Sequence, residues 1–170
     1  LGLVQSFYNR LIERKTSGAF LDIGANTGSF CLLPVVNGSL SCYAYEPNPI
    51  AYDILVENIL LNGLVSVATF NMGVWSEKST LKLKVPLDQT DSGLGTFGES
   101  PLLFQDNDKT GDDKDGSVEA IGIDEEFDGV KIDAIKIDTE GAELEILKGA
   151  HIVLTAQKPL LNRHVEEFEA

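Results

Sequence analysis

The sequence predicts an α/β fold, a doubly wound and mostly parallel sheet. Three observations carry that expectation. Short apolar runs recur along the chain, at Ala19-Phe20-Leu21, at 40–45 and at Ala134-Ile135-Lys136-Ile137. These runs end at an acid, Asp22, Glu46 or Asp138, with residues that suit a turn and a following helix close behind. Strands that alternate with helices through short turns imply parallel pairing with right-handed crossovers. Ligands of such sheets bind at the carboxyl ends of the strands, which is where the three acids fall.

The elements follow in order. Leu3, Val4, Phe7, Leu11 and Ile12 recur at helical spacing, so residues 1–18 hold an amphipathic helix laid on the sheet. The run 19–21 reads as a buried strand, followed by a short helix starting near Thr27 or Gly28 and limited by Pro34 and Gly38. After the strand at 40–45, Asn48 is a good N-cap, Pro49 suits the first helical position, and Gly63 takes the left-handed place at the helix end. Residues 65–70 read as a third strand. Residues 79–85 alternate Leu81, Leu83 and Val85 with Lys82 and Lys84, as an exposed or edge strand does. Residues 86–117 show no sustained period; a loop of that length is commonly functional or disordered, and it is expected to act as a lid or substrate loop, with residues 92–97 folding over the site. Strands are expected again at 118–123 and 134–137, a helix from about Ala142 to Lys148 stopped by Gly149, and a last strand at 159–165.

Composition bounds the function. Apolar residues at 43% and charged residues at 24% are those of an ordinary globular protein with a core, and 170 residues suit one domain spanning 1–170. No apolar run reaches the roughly 18–20 residues of a membrane span, and no basic-then-apolar leader opens the chain. A soluble, cytoplasmic protein with no membrane partner is therefore expected, although the chain starts at Leu1 rather than Met, as a trimmed sequence would. The net charge of −14 disfavours nucleic acid, whose phosphates are gripped by clustered Lys and Arg. Between Pro86 and Asp128 stand 13 acids against Lys109 and Lys114, the composition of a solvated acidic loop. Cys31 and Cys42 form no zinc or redox motif and read as buried free thiols.

In the run Asp22-Ile23-Gly24-Ala25-Asn26-Thr27-Gly28, a carboxylate at a strand end precedes two glycines four apart. Glycine permits positive φ and close approach of a ligand, and the free amides of a helix start favour a negatively polarised group such as a carboxylate. The two glycines also fit a purely geometric role in the turn. Glu46 stands 18 residues after Gly28, where a carboxylate can accept hydrogen bonds from both hydroxyls of a ribose. Its plainer role is a charge at a helix start. Taken together, these residues point to a nucleoside ligand. A nicotinamide dinucleotide wants G-x-G-x-x-G, whereas position 26 is Asn, and Asp22 would repel a pyrophosphate. S-adenosylmethionine has no phosphate and carries a sulfonium and an ammonium, so an acidic pocket suits it better.

These runs, with Tyr45-Glu46-Pro47-Asn48-Pro49, Glu57-Asn58-Ile59, Ile135-Lys136-Ile137-Asp138-Thr139-Glu140-Gly141-Ala142-Glu143 and Leu147-Lys148-Gly149-Ala150, occur in one order between residues 20 and 165. In that order they resemble the FkbM-like methyltransferase family. The resemblance implies a Rossmann-like class I methyltransferase fold, S-adenosylmethionine as cofactor, and O-methylation of a hydroxyl on a sugar, glycan or other natural product. By position it places Asp22, Gly24, Asn26 and Gly28 at the methionine end of the cofactor, with Ala25 and Thr27 in the same turn. Glu46 would hold the ribose beside Pro47 and Asn48, and Asn71, Met72 and Gly73 would flank the adenine. Met72 suits ordinary core packing equally well.

Asp138 and Glu140 stand at the carboxyl end of a central strand, where one of them could orient or deprotonate the acceptor hydroxyl. Acids placed at a helix start are the alternative. His164, in Arg163-His164-Val165-Glu166, stands where the family more often has a carboxylate. It could serve as general base or, with Asp138 and Glu140, bind a divalent metal that lowers the pKa of the acceptor hydroxyl; a surface histidine is the other reading. His151 reads as structural. The expected partner is a small-molecule or carbohydrate acceptor. Two other functions stay open, a nicotinamide-dependent oxidoreductase and a catalytically inactive methyltransferase-like binding module.

Overall fold

In the computed structural model, residues 2–14, 17–32, 38, 40–83, 116–139 and 141–163 are described. The chain runs through α1 (Gly2–Arg14), β1 (Ala19–Ile23), β2 (Ser41–Tyr45), α2 (Pro49–Leu61), β3 (Val67–Phe70), β4 (Gly73–Trp75), β5 (Ser79–Leu83), β6 (Gly116–Gly122), α3 (Ile123–Glu126), β7 (Ile132–Ile137), α4 (Glu143–Lys148) and β8 (Leu160–Arg163). One sheet has the order β3-β2-β1-β7-β8, and every pairing in it is parallel. This is the predicted doubly wound, Rossmann-like α/β architecture.

β1 lies at the centre with all five residues buried. A strand sends alternate side chains to opposite faces, so a strand covered on both sides must be apolar throughout or pair its charges. Leu21 and Ile23 pack on one face with Tyr45, Ile135, Ile146 and Val153. Phe20 packs on the other with Phe7 and Leu11 of α1, Leu55 of α2 and Cys42. Burying each large side chain of this kind contributes roughly 1.5–3 kcal/mol. Both cysteines are free and buried, as expected. Burial, then a hydrogen bond with Cys31, pushes the Cys42 thiol well above its usual value, so it stays protonated.

α2 begins and ends as its sequence predicts. Asn48 Oδ1 accepts from the amide of Ile50 at 3.0 Å, and Pro49 takes the first turn. Gly63 has φ +62°, a left-handed conformation that costs glycine little.

Four features depart from the sequence reading. Residues 26–32 form successive turns where the start of a helix was expected, with Gly28 N donating to Ala25 O at 2.9 Å and Cys31 N to Gly28 O at 3.0 Å, and the rest of that expected helix, at 33–37, lies outside the described residues. Gly24, Asn26 and Gly28 all have positive φ, which a right-handed helix does not admit. A second sheet, ordered β4-β6-β5, joins the edge strand expected at 79–85 to β4, a three-residue strand too short to show a period. β6 starts at Gly116, two residues earlier than expected, so it takes the last two residues of the lid expected at 86–117, and residues 86–115 of that lid fall outside the described ones.

Gly149 caps α4 after Lys148 as expected; the fourth departure is that helical backbone resumes at His151 and widens into a π-type turn (Val153–Gln157) that ends at Lys158 with φ +51°. With φ −73° the backbone of Gly149 is ordinary, but a Cβ there would lie 2.2 Å from the carbonyl oxygen of Trp75. The glycine serves the close approach of α4 to β4. Gly149→Ala is therefore expected to destabilise the fold by about 1–3 kcal/mol, the cost of overpacking, read as a lower urea midpoint. An unchanged midpoint would contradict the close contact. Among the described residues no helix is long and apolar enough to cross a membrane.

Candidate active site

The carboxyl ends of β1, β2 and β7 meet at one edge of the parallel sheet, and the chain turns sharply after each. The amides of Gly24 and Ala25 both donate to Tyr45 O at 3.0 Å, which binds the turn after β1 to the tip of β2. Asp138 N donates to Ile23 O at 3.1 Å, which binds the tip of β7 to the same turn. Gly24 is required there. Its φ is +71°, and an added Cβ would stand 2.1 Å from Asp138 O. Gly28, at φ +93°, would bring a Cβ within 2.8 Å of Leu55 Cδ1, so this turn lies directly on α2. Asn58 Nδ2 holds the turn from α2 by donating to Thr27 O at 2.8 Å.

Glu46 is buried at 5% exposure, and its two carboxylate oxygens are used by two different loops. Oε2 accepts from the amide of Asn26 at 2.8 Å and Oε1 from the amide of Asn48 at 2.9 Å. Burial raises its pKa above the usual glutamate value, opposed by those two amides and by the charge of Lys136. Asn71 Nδ2 donates to Glu46 O at 2.8 Å and Pro47 O at 3.1 Å, bracing the loop that carries Glu46. The turn amides expected to be free for a ligand are largely taken, since Gly24, Ala25, Asn26 and Gly28 all donate within the protein.

The structure thus brings Asp22, Gly24, Ala25, Asn26, Thr27, Gly28, Glu46, Pro47, Asn48, Asn71 and Asp138 to one sheet edge. Met72 packs partly against the core on the face of Ile121 and Ile146, and Gly73 is buried in β4. Asp138 is about half exposed at the mouth. Glu140 and His164 lie outside the described residues, so the three-residue catalytic and metal set is represented by Asp138 alone. Among the described residues no group of three or more His, Cys, Asp and Glu is placed to hold a metal ion. Among the described residues the cation paired with Asp138 is Lys136, at 3.7 Å, which opposes a metal there.

The sequence profile of the methyltransferase FkbM domain matches residues 22–169. This chain belongs to that family. It is 30% identical over 154 residues to the methyltransferase sdnD of Sordaria araneosa, covering 76% of this chain and 59% of that protein. It is 25% identical over 142 residues to the hexuronic acid methyltransferase AglP of Haloferax volcanii, covering 82% of this chain and 52% of that protein. The chain therefore spans a little over half the length of these curated relatives. Among solved structures it is similar to precorrin-6y C5,15-methyltransferase from Geobacter metallireducens GS-15, with a TM-score of 0.47 and 14% identity over 87% of this chain and 54% of that one.

Within this FkbM domain one charged residue of the site escaped the sequence reading. Lys136 on β7 is 4% exposed, and its Nζ lies 3.1 Å from Asp22 Oδ1. Asp22 is itself fully buried, with Oδ2 accepting from Cys31 Sγ at 3.5 Å. The signal was present in Ala134-Ile135-Lys136-Ile137: a lysine in a strand buried on both faces needs a counter-charge, and Asp22 sits in the neighbouring apolar strand.

Proposed function

We propose that this FkbM domain is an S-adenosylmethionine-dependent O-methyltransferase acting on a hydroxyl of a sugar, glycan or related natural product. The observation that supports this most directly is Glu46. Each carboxylate oxygen has two acceptor positions, and each oxygen here spends one on a backbone amide. One position per oxygen remains, which fits the vicinal diol of a ribose, at the strand tip where the parallel-sheet rule puts a nucleoside. When bound there, S-adenosylmethionine supplies the methyl group. The turn from Asp22 to Gly28 takes its amino-acid end, and Asn71, Met72 and Gly73 border its base.

Asp138 receives the acceptor hydroxyl at the mouth, where its carboxylate orients the oxygen and takes its proton. Positioning two reactants in near-attack geometry supplies much of the acceleration for an in-line displacement, and a base adds about 10²–10⁴-fold. The sugar class of the acceptor follows AglP, whose name gives a hexuronic acid as its substrate. Calorimetry with S-adenosylhomocysteine is expected to show saturable heat, and labelled methyl transfer to a panel of sugars led by hexuronic acids is expected to mark a hydroxyl. Binding without transfer to any acceptor would turn the reading towards a binding module; heat with a nicotinamide dinucleotide instead would turn it towards an oxidoreductase.

A further inference from the structure

The reaction proposed above leaves one buried charge without a task. Lys136 Nζ donates to Gly24 O at 2.5 Å, pairs with Asp22 Oδ1 at 3.1 Å and with Asp138 Oδ2 at 3.7 Å, and stands 5.3 Å from the centre of the Phe30 ring. Stability alone is a poor reason for this arrangement. Removing two charges from water costs nearly what their attraction returns, and well-packed neutral side chains of similar volume commonly serve the fold as well. The contacts are specific in another way: all three oxygens belong to the two chain segments that meet at the cofactor edge.

We propose that Lys136 is a positioning residue of the cofactor site, a single ammonium that ties the glycine turn after β1 to the tip of β7 and holds the Asp138 carboxylate beside that turn. The inference rests on the proposed function. Lys136 balances the charge of Asp22, so of the two acids it contacts, the one whose negative charge remains available is Asp138, which is 53% exposed where Asp22 is 0%. Asp22 then acts beneath the turn, as the counter-charge that fixes the lysine. Gly24, held through its carbonyl by Lys136 and through its amide by Tyr45 O, cannot rotate its peptides away from the strand tips.

Lys136→Met alone would strand Asp22 as a buried, unpaired charge and unfold much of the protein. The informative variant is the neutral pair Asp22→Asn with Lys136→Met. It is expected to melt cooperatively near wild type, yet to bind S-adenosylhomocysteine about tenfold more weakly and to turn over about tenfold more slowly at saturating donor, the size of one charge-assisted hydrogen bond. A pair that served packing alone would leave both quantities at the wild-type value below the melting temperature, and that result overturns the proposal. If the pair fails to fold, the ¹⁵N-labelled lysine ammonium signal of Lys136 in the wild-type chain decides: it is expected to shift when S-adenosylhomocysteine is added, and a signal that stays put overturns the assignment. The two readings fail in different ways. No heat from the wild-type chain sinks the cofactor and this role with it, whereas equal heats from wild type and double variant remove only the role of Lys136.

Discussion

Asp138→Asn is expected to reduce methyl transfer by about 10²–10⁴-fold, the usual contribution of a positioned general base, with the affinity for S-adenosylhomocysteine unchanged. Asparagine keeps the size of the side chain and can still present an oxygen to Lys136, while it cannot take a proton. The strand tip should keep its geometry, because the bond that fixes it is the backbone amide of Asp138 donating to Ile23 O at 3.1 Å. The half-exposed side chain makes little contribution to the core, so the melting temperature should hardly move. The separation of the two readouts is the point of the experiment. Loss of turnover together with loss of binding would mean that Asp138 supports the cofactor and not the acceptor, and a fully active variant would remove it from the chemistry.

What could be read from the sequence divides along physical lines. The strands at 19–23, 41–45 and 132–137 were legible because a short apolar run closed by an acid is a local signal, and α2 was legible because Asn48, Pro49 and Gly63 are local stop and start residues. Features that depend on contact between distant segments were not. The pairing of Asp22 with Lys136 links two strands that are neighbours only in the folded sheet, and the tight approach of Gly149 to Trp75 O gives the glycine that caps α4 a second reason, which no local pattern shows. The turn after β1 resembles a helix start in sequence because a Gly-rich run permits both, and only the positive φ values of Gly24, Asn26 and Gly28 decide between them. At the site, the cluster of Glu46 with the turn residues was legible from spacing. The use of its two oxygens by Asn26 and Asn48 was not, since those bonds are made by backbone amides that every sequence carries.

Glu46→Gln is expected to weaken S-adenosylhomocysteine binding about 10–10²-fold, by removing one charge-assisted hydrogen bond to the ligand of roughly 1.5–3 kcal/mol. Glutamine offers one acceptor oxygen where glutamate offers two. Whichever way the amide turns, its NH₂ faces the N–H of Asn26 or of Asn48, so one loop loses its anchor and one ribose hydroxyl loses its acceptor. The pH dependence adds a second mark. Burial holds the folded-state carboxyl above the glutamate value of the unfolded chain. Its contribution to stability is therefore present in full below the unfolded value and is lost as pH rises through the raised folded value, because the buried charge must then form. Affinity runs the other way, since the ionised carboxylate is the form with an acceptor for each hydroxyl. Across the window from an ordinary glutamate value of about 4.3 up to the raised one, the wild-type chain should gain affinity while Glu46 ceases to favour the fold. The glutamine variant should lack both trends. Melting curves and calorimetry on the two proteins through that range check this, and the same pH profile of affinity for both would separate Glu46 from the ribose.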